Sequence, residues 1–306
     1  MSTPESKLKQ LFTARKKSPR KVWGLYTGFD ELDKLTGGIQ ARELTVLTAR
    51  TNVGKSAFAG TLALNIAERL LQIDSPKRVR VVLLEMGSLM FQMRLACGIA
   101  RLPITQARSG FITDEEYKCL MHSIDYVEQL PIDFLEGRTP SDEIIDFIAQ
   151  SDTAWWCVDH IGIVKSSSGG YGSRKMDQLT ELSQKFSTIA HTFAPGMVVA
   201  QQNRDSENFQ NKNKTPTLGS IGGADAIGHD ADIVYGLYRP ALYDENIVGQ
   251  DPFAPEQTQL LILKNRNGPT GKIALTYDKA SASFIGVKLS EIQNERNGSV
   301  ADDLPA

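Results

Sequence analysis

The segment from Glu43 to Thr61, ELTVLTARTNVGKSAFAGT, constrains the fold more than any other part of the chain. It opens with a short apolar run rich in β-branched residues, which is typical of a buried strand. A tight loop ending in Gly54-Lys55-Ser56 follows, and apolar residues then recur at helical spacing. A strand, a Gly-Lys-Ser loop and a helix in this order predict a phosphate-binding P-loop.

The loop suits an anion, because successive backbone N–H groups and the N-terminus of the following helix can surround a phosphate. Lys55 can reach the outer phosphates, and the Ser56 hydroxyl can bind Mg²⁺. Ala49 replaces the first glycine of the usual pattern, which is acceptable if the backbone there avoids positive φ. A chance Gly-Lys-Ser at a helix start is the alternative. The nucleotide-contacting residues that we expect are Ala49, Arg50, Thr51, Asn52, Val53, Gly54, Lys55, Ser56 and Ala57.

Composition excludes several classes of protein. The chain has 306 residues, a formal net charge of −2, 41% hydrophobic residues and 23% charged residues, which suits a globular protein of one large or two small domains. No apolar run reaches the length of a membrane span, so we expect a cytoplasmic protein without membrane partners. The near-neutral charge means that any nucleic-acid surface is local. Cys97, Cys119 and Cys157 are dispersed, which argues against disulfides or a zinc site and predicts reduced core thiols.

Two later strand patterns end in carboxylates. Residues 78–84 are followed by Glu85, and residues 155–158 by Asp159. The carboxyl ends of parallel strands face the ligand in α/β folds, so we expect both side chains near the nucleotide. Glu85 is a candidate base for activating water, or a surface acid in a salt bridge. Asp159 is a Walker B candidate that would hold Mg²⁺ through water.

Three later segments carry polar groups with a candidate role. A fourth strand pattern ends at Gln201, whose amide can sense a γ-phosphate or satisfy its own loop. Residues 205–223 are polar and long for an internal loop, so they are functional or disordered. The turn at residues 264–271 carries Lys264 and Arg266. These cations are either solvated or enter the nucleotide site of a neighbouring subunit as arginine fingers.

In this order, the segments resemble the RecA-like motor domain of DnaB-type replicative helicases. The most specific match is residues 264–271, KNRNGPTG, which few other P-loop proteins carry. An alanine at the position of Ala49 is also usual in that family. The other matching stretches are residues 27–33, 49–56, 84–86, 158–160, 201 with 203–204, and 230–232.

The resemblance implies an α/β fold, a RecA-like P-loop NTPase core with a mostly parallel twisted sheet flanked by helices and with antiparallel C-terminal strands. Residues 23–287 would form this ATPase domain. Residues 1–22 are basic and would be a linker helix that binds a neighbouring subunit, or a solvated tail. Residues 288–306 are polar and are expected to be disordered.

The resemblance also implies a ring, usually of six subunits around single-stranded DNA, that uses ATP and Mg²⁺ and unwinds duplex DNA 5′→3′ in replication. Lys264 and Arg266 would act on the ATP of the next subunit. Primase, a helicase loader or another replisome protein are the further partners that it suggests. The implied catalytic residues are Lys55, Glu85, Asp159, Gln201, Lys264 and Arg266, with Ser56 and Asp159 as the magnesium ligands.

The sequence departs from the family in three ways. It begins at the linker, so we expect the helical N-terminal domain, which stabilises the ring and meets primase in the family, to be absent. The arginine-glutamate-serine-glycine run of the DNA-binding loop is Gly222-Gly223-Ala224-Asp225, although its glycine amides could still bind phosphate. The glutamate-glutamine before Asp230 is Gly228-His229. His160 and His229 either lie near the central channel of such a ring or are merely polar loop residues, and we favour the second interpretation. The DNA-contacting residues that we expect are Arg174, Lys175, Lys212, Lys214, Gly222 and Gly223.

Two alternatives to a helicase motor stay open. A RecA- or KaiC-like recombination or regulatory ATPase would share the core, but the lysine-x-arginine turn argues against it. A weakly hydrolysing adaptor subunit would explain the lost loop arginine, whereas Glu85, Asp159 and Arg266 count against it. The sequence favours an ATP-dependent DNA helicase in a bacterial or phage-infected cell.

Overall fold

The computed structural model describes residues 4–17, 22–164, 175–202, 215–221, 225–243 and 256–285. The strands in these ranges are β1 (Leu44–Ala49), β2 (Arg78–Leu83), β3 (Ile132–Glu136), β4 (Thr153–Asp159), β5 (Gly196–Gln201), β6 (Ile233–Tyr238), β7 (Glu256–Asn265), β8 (Gly271–Asp278) and β9 (Ser283–Ile285). The α-helices are α1 (Pro4–Lys17), α2 (Asp30–Thr36), α3 (Lys55–Gln72), α4 (Ser88–Ala100), α5 (Ile104–Ser109), α6 (Asp114–Gln129), α7 (Ser141–Ile148), α8 (Lys175–Thr192) and α9 (Asp225–Asp230).

The described strands form one sheet in the order β3-β2-β4-β5-β1-β6-β7-β8-β9. The strands from β3 to β6 in this order run parallel, whereas β7, β8 and β9 are antiparallel to their neighbours. β1 lies between two parallel partners, with Leu47 opposite Val199 of β5 and Tyr235 of β6. This arrangement confirms the predicted mostly parallel sheet with antiparallel C-terminal strands.

Helices cover both faces of this sheet. Side chains of a strand alternate between its faces, so Leu47 of β1 packs in the cluster that contains α3, and Val46 packs in the cluster that contains α8. α3 buries Phe58 and Leu62 at helical spacing, and α8 buries Phe186 in the same way. Burial of these apolar faces holds the helices against the sheet, because a helix of this length is marginal by itself.

The tandem tryptophans of β4 belong to the core, since Trp155 and Trp156 are both fully buried. The two side chains enter opposite faces of the sheet. Trp156 Nε1 donates a hydrogen bond to the carbonyl of Ala194 at 2.8 Å. A Cβ at position 196 would lie 2.0 Å from the Trp156 ring, so Gly196 is required for the close approach of β5.

α6 and α7 begin in different ways. A capping box starts α6, because the Glu116 N–H donates to Thr113 Oγ1 and the Thr113 N–H donates to Glu116 Oε2. At α7, Ser141 is already helical, and the capping position is Pro140, which offers no side-chain acceptor.

The cysteine prediction is correct for two of the three residues. All three are free, and Cys97 and Cys157 are buried. Cys119 is exposed, because α6 turns Leu120, Ser123 and Val127 toward the core instead.

At the N-terminus, α1 occupies most of the predicted linker, and its Arg15 guanidinium lies 5.1 Å from the centroid of the Trp23 ring. No helix in the described ranges combines the length and apolar character that a membrane span needs. The predicted C-terminal tail from residue 288 onward lies outside the described residues.

A buried pair joins α3 to α6. Glu68 accepts a hydrogen bond from Tyr126 and is only 8% exposed. Burial raises the pKa of Glu68 from 4.5 to about 7, although the Tyr126 bond opposes this shift. The folded state therefore holds this proton more tightly than the unfolded chain. The associated stability is complete below pH 4.5 and is lost as the pH rises through 7.

Glu68→Gln removes this titration and keeps an acceptor for Tyr126. We expect its free energy of unfolding, relative to that of the parent chain, to rise by about 2 kcal/mol between about pH 5.5 and pH 8.5. Urea titrations at the two pH values measure the difference. Glu128→Gln, at an exposed position of α6, is the matched control and should show no such change. A Glu68→Gln effect that is the same at both pH values would contradict the assignment.

Candidate active site

The P-loop connects β1 to α3 at the carboxyl end of the strand. Two of its residues have positive φ, Asn52 at 63° and Gly54 at 115°. Ala49 is the last residue of β1 and lies outside the positive-φ region, so an alanine is tolerated where the usual pattern has glycine. Gly54 is the N-cap of α3 and supplies no side-chain acceptor. The first N–H groups of α3 are therefore available to an anion.

Lys55 folds back onto this loop. Its Nζ donates to the carbonyl of Ala49 at 3.0 Å and to that of Arg50 at 2.8 Å. Burial lowers the pKa of Lys55, and the charges of Asp159 and Glu85 act in the opposite direction. A half-buried ammonium whose hydrogen bonds go to neutral carbonyls is a favourable contact for an anion that enters the loop.

Ser56 and Asp159 bring a hydroxyl and a carboxylate together. The Ser56 side chain is hydrogen-bonded to Asp159. Burial raises the pKa of Asp159, while the Ser56 hydrogen bond and the charge of Lys55 oppose this shift. These hard oxygen donors fit Mg²⁺, which is usually held by one or two carboxylates together with substrate phosphates. Among the described residues no cluster of three or more His, Cys, Asp or Glu side chains could hold a metal without such a substrate.

Glu85 and Asp159 line the same open cavity of about 430 Å³, together with Ser56 and Met86. The Glu85 side chain is 65% exposed, and its Oε1 lies 3.4 Å from His160 Nε2. His160 Nδ1 accepts the Gly162 N–H at 3.1 Å, so Nε2 carries the proton of a neutral ring and faces Glu85. The interpretation of His160 as a mere loop residue is thus incomplete.

Gln201 ends β5 beside the P-loop. Its Nε2 donates to Thr51 Oγ1 at 2.8 Å. The parallel pairing of β5 with β1 places Gln201 opposite Ala49. The amide is therefore held against the loop that would contact the phosphates.

Arg94 on α4 lines the cavity beside Ser56, Glu85 and Asp159, and sequence reasoning did not single it out. Its Nε is buried without a hydrogen-bond partner. A buried donor with no acceptor is costly and is usually explained by a missing ligand, ion or water. The sequence holds a weak signal, since Arg94 follows the cavity residue Met90 at helical i,i+4 spacing.

A second arginine supports the outer side of the P-loop. Arg239 Nη1 donates to the carbonyl of Asn52 at 3.1 Å. The same guanidinium is paired with Glu256 at 2.8 Å and lies 4.5 Å from the centroid of the Tyr277 ring. Because these partners come from β7 and β8, they reach the loop only when the sheet is assembled.

Lys264 and Arg266 lie far from this chain's own P-loop. Asn265 pairs with Ile233 at the start of β6, and Ile233 pairs with Thr45 at the start of β1. The P-loop follows the other end of β1, about 13 Å away at ~3.3 Å per residue. The two cations therefore lie at the edge of the sheet formed by the amino ends of the parallel strands, opposite to the edge with the P-loop and the cavity.

The predicted DNA-contacting residues are mostly outside the described ranges. Lys175 is the first residue of α8, and its side chain is not described. The others are Arg174, Lys212, Lys214, Gly222 and Gly223. The DNA contacts thus stay a prediction from the sequence.

Comparison with known proteins gives consistent results. The family model described as "DnaB-like helicase C terminal domain" matches residues 24–286. The chain is 28% identical over 275 residues to "Replicative DNA helicase DnaC" of Bacillus subtilis (strain 168), covering 87% of this chain and 57% of that protein. It is 29% identical over 272 residues to "Replicative DNA helicase DnaB" of Haemophilus influenzae, covering 86% and 55% respectively. The chain thus spans little more than half the length of these curated relatives.

Two solved structures share the fold. One, described as an ATPase domain, matches with a TM-score of 0.80 at 21% identity, covering 94% of this chain and 100% of that one. "The Structure Of A DnaB-Like Replicative Helicase And Its Interactions With Primase" matches with a TM-score of 0.79 at 20% identity, covering 94% of this chain and 68% of that one. The fold is the RecA-like ATPase fold, and because the family model spans most of the sequence, the chain belongs to the DnaB-like helicase C terminal domain family.

Proposed function

We propose that this chain is the motor domain of an ATP-dependent DNA helicase that forms a ring, translocates on single-stranded DNA and unwinds duplex DNA in replication. The observation that carries the proposal is the separation of two sets of groups. Lys55, Glu85 and Asp159 lie at the carboxyl edge of the parallel strands, and Lys264 and Arg266 lie at the opposite edge. Membership of the family, whose relatives are named replicative DNA helicases, supports the same function.

Binding of ATP begins with Lys55, which exchanges its two loop carbonyls for the outer phosphates. The N–H groups at the start of α3 bind the same phosphates. Ser56 and Asp159 would hold Mg²⁺, which when bound would neutralise phosphate charge and orient the transferred group. Their existing hydrogen bond keeps the two oxygens together before the nucleotide arrives.

Hydrolysis requires a base at the attacking water. Glu85 accepts the proton of this water, and the His160 Nε2–H keeps its carboxylate oriented. Gln201, held by Thr51, lies where it can respond to the terminal phosphate. The cavity beside these residues gives the water and the phosphate access to both carboxylates.

The trans step completes the site. Lys264 and Arg266 cannot reach this chain's own loop, so they act on the ATP of the neighbouring subunit. Their arrival neutralises the charge that develops on the transferred phosphoryl group, which couples hydrolysis to the position of the next subunit. This coupling requires a closed ring, and a hexamer is the assembly that we propose.

Arg94 is a further group of the proposed site. Its side chain lines the cavity from α4, beside Ser56, Glu85 and Asp159. A phosphate oxygen of bound ATP would accept a hydrogen bond from its guanidinium. Arg94 thus adds a cation from the same chain, in contrast to Arg266 of the neighbour.

The proposed DNA contact involves mainly phosphates. Binding would therefore weaken as salt rises and would depend little on base sequence. Primase or a loader are further proposed partners, supported by the structural neighbour that was solved as a helicase with its interactions with primase.

Lys55→Ala and Arg266→Ala separate the two nucleotide roles. Lys55→Ala should abolish ATP binding, because the ammonium at the loop is lost. Arg266→Ala should keep binding but lower ATP turnover by roughly 10³-fold or more. Fluorescent-nucleotide titration and steady-state hydrolysis measure the two effects.

Lys272→Ala is the matched control for Arg266→Ala, since this lysine is exposed on β8 close to the same turn. It should hydrolyse ATP and unwind a forked duplex at the parental rates. Parental hydrolysis by Arg266→Ala would show that the trans assignment is wrong.

Arg94→Met tests the additional cation while keeping an aliphatic side chain against Met90. Loss of one preorganised donor should lower kcat by roughly 10²-fold, with a smaller effect on nucleotide binding. Arg108→Met, at an exposed position of α5, provides the control for a lost surface arginine. An unchanged kcat in Arg94→Met would exclude a contact between Arg94 and the reacting phosphate.

A further inference from the structure

Asp232 is a buried carboxylate immediately before β6 that contacts the turn of the two trans cations. The residue is 5% exposed. Its Oδ1 accepts a hydrogen bond from Arg266 Nη1 at 3.1 Å, and its backbone carbonyl accepts the Arg266 N–H at 3.0 Å. Arg266 is thus held by Asp232 through both its backbone and its guanidinium.

The other oxygen ties the same carboxylate to β1. The Leu44 N–H donates to Asp232 Oδ2 at 2.9 Å, and the Asp232 N–H donates to the Leu44 carbonyl at 2.9 Å. From α8, His191 Nε2 lies 3.1 Å from Oδ2. Asp232 is therefore held by the backbone of β1 and by a side chain of α8, independently of its contact with Arg266.

The remaining contacts of the two cations come from the last turn of α9. Lys264 Nζ donates to the carbonyls of Gly228 at 2.9 Å and His229 at 2.8 Å. Arg266 Nη2 donates to the same His229 carbonyl at 2.9 Å. Both side chains are anchored on their inner side by one short helix.

These anchors leave donors for a phosphate. A guanidinium has five N–H donors, and an ammonium has three. The bonds described use two of the five in Arg266 and two of the three in Lys264. The Arg266 side chain is 45% exposed, so its outer N–H groups face away from the chain. Arg266 can bind an anion without leaving Asp232.

Two neighbouring cations also need a compensating charge. Burial lowers the pKa of Lys264, and the charge of Arg266 lowers it further, whereas Asp232 and Asp230 oppose the shift. Without Asp232, Arg266 would keep one carbonyl contact and would move over several rotamers. Ordering such a side chain costs conformational entropy each time it contacts a phosphate.

We propose that Asp232 is the positioning residue of the trans-acting cations: it holds Arg266, and the turn that carries Lys264, in the orientation that reaches the neighbour's ATP. The inference rests on the proposed trans role of Arg266 and adds the residue that preorganises it. Asp232 is hydrogen-bonded to the first residue of β1. The strand that leads into the P-loop therefore also holds the residue that positions Arg266.

A subunit-mixing experiment isolates this role. Lys55→Ala subunits bind no ATP but keep an intact finger, and Arg266→Ala subunits bind ATP but lack the finger. Each variant is inactive alone. Mixed rings should recover ATP hydrolysis wherever a Lys55→Ala subunit supplies its Arg266 to the ATP of an Arg266→Ala subunit. The donor is then changed to Lys55→Ala with Asp232→Asn, so that only the presentation of the finger is altered. We expect the recovered rate to fall by roughly 10- to 100-fold.

The matched donor is Lys55→Ala with Asp133→Asn. Asp133, on the edge strand β3, accepts hydrogen bonds from Arg78, so this donor loses an aspartate–arginine pair that is remote from Lys264 and Arg266. This donor should support recovery at the level of Lys55→Ala alone. Equal recovery with the Asp232→Asn donor would overturn the inference while leaving the trans role intact. No recovery in the starting mixture would overturn the trans role, and with it the role of Asp232.

Two measurements distinguish the positioning role of Asp232 from a general disruption of the fold by Asp232→Asn. In the parent chain it should lower kcat and leave nucleotide affinity unchanged. In the Arg266→Ala background it should lower kcat by a much smaller factor, because only the turn with Lys264 is left to position. If the variant does not melt cooperatively, Arg266→Lys in the donor replaces it, since this keeps the charge but loses one of the two anchors. Full recovery with the Arg266→Lys donor would overturn the positioning role.

Discussion

β1 is hydrogen-bonded to a parallel strand on each side, and all six of its residues are buried. A strand in this position cannot shift without breaking both ladders and both core layers. Its carboxyl end delivers the P-loop, and its first residue, Leu44, is bonded to Asp232. The geometry of the loop at one edge and of the cation turn at the other is thus set by the same rigid element.

The two edges differ in how they hold their charges. At the P-loop edge, Lys55 and Asp159 are half-buried, and desolvation lowers the pKa of Lys55 and raises the pKa of Asp159, so that it disfavours both charges. At the opposite edge, Arg266 is already paired with Asp232 and remains half exposed. The edge with the P-loop is therefore suited to bind phosphates. The opposite edge is suited to contact phosphates that another subunit holds. In the proposed ring, this asymmetry lets identical subunits complete each other's sites.

The sequence predicted the elements that depend on local pattern. The P-loop, the strands ending at Glu85, Asp159 and Gln201, and the antiparallel C-terminal strands follow from periodicity and from the family resemblance. The missed features depend on contacts across the fold. The Asp232–Leu44 bond spans 188 residues, and the cavity position of Arg94 depends on how α4 packs against α3, α6 and β3. The exposure of Cys119 depends on which face α6 buries, which its mixed polar pattern does not settle.

The proposed motor couples ATP hydrolysis to DNA. Its first test is steady-state ATP hydrolysis by the purified chain, measured with and without single-stranded DNA at matched salt. We expect DNA to stimulate hydrolysis strongly and the stimulation to be lost as the salt concentration rises. Robust hydrolysis that is indifferent to DNA at every salt concentration would contradict the motor and favour a recombination-type or regulatory ATPase.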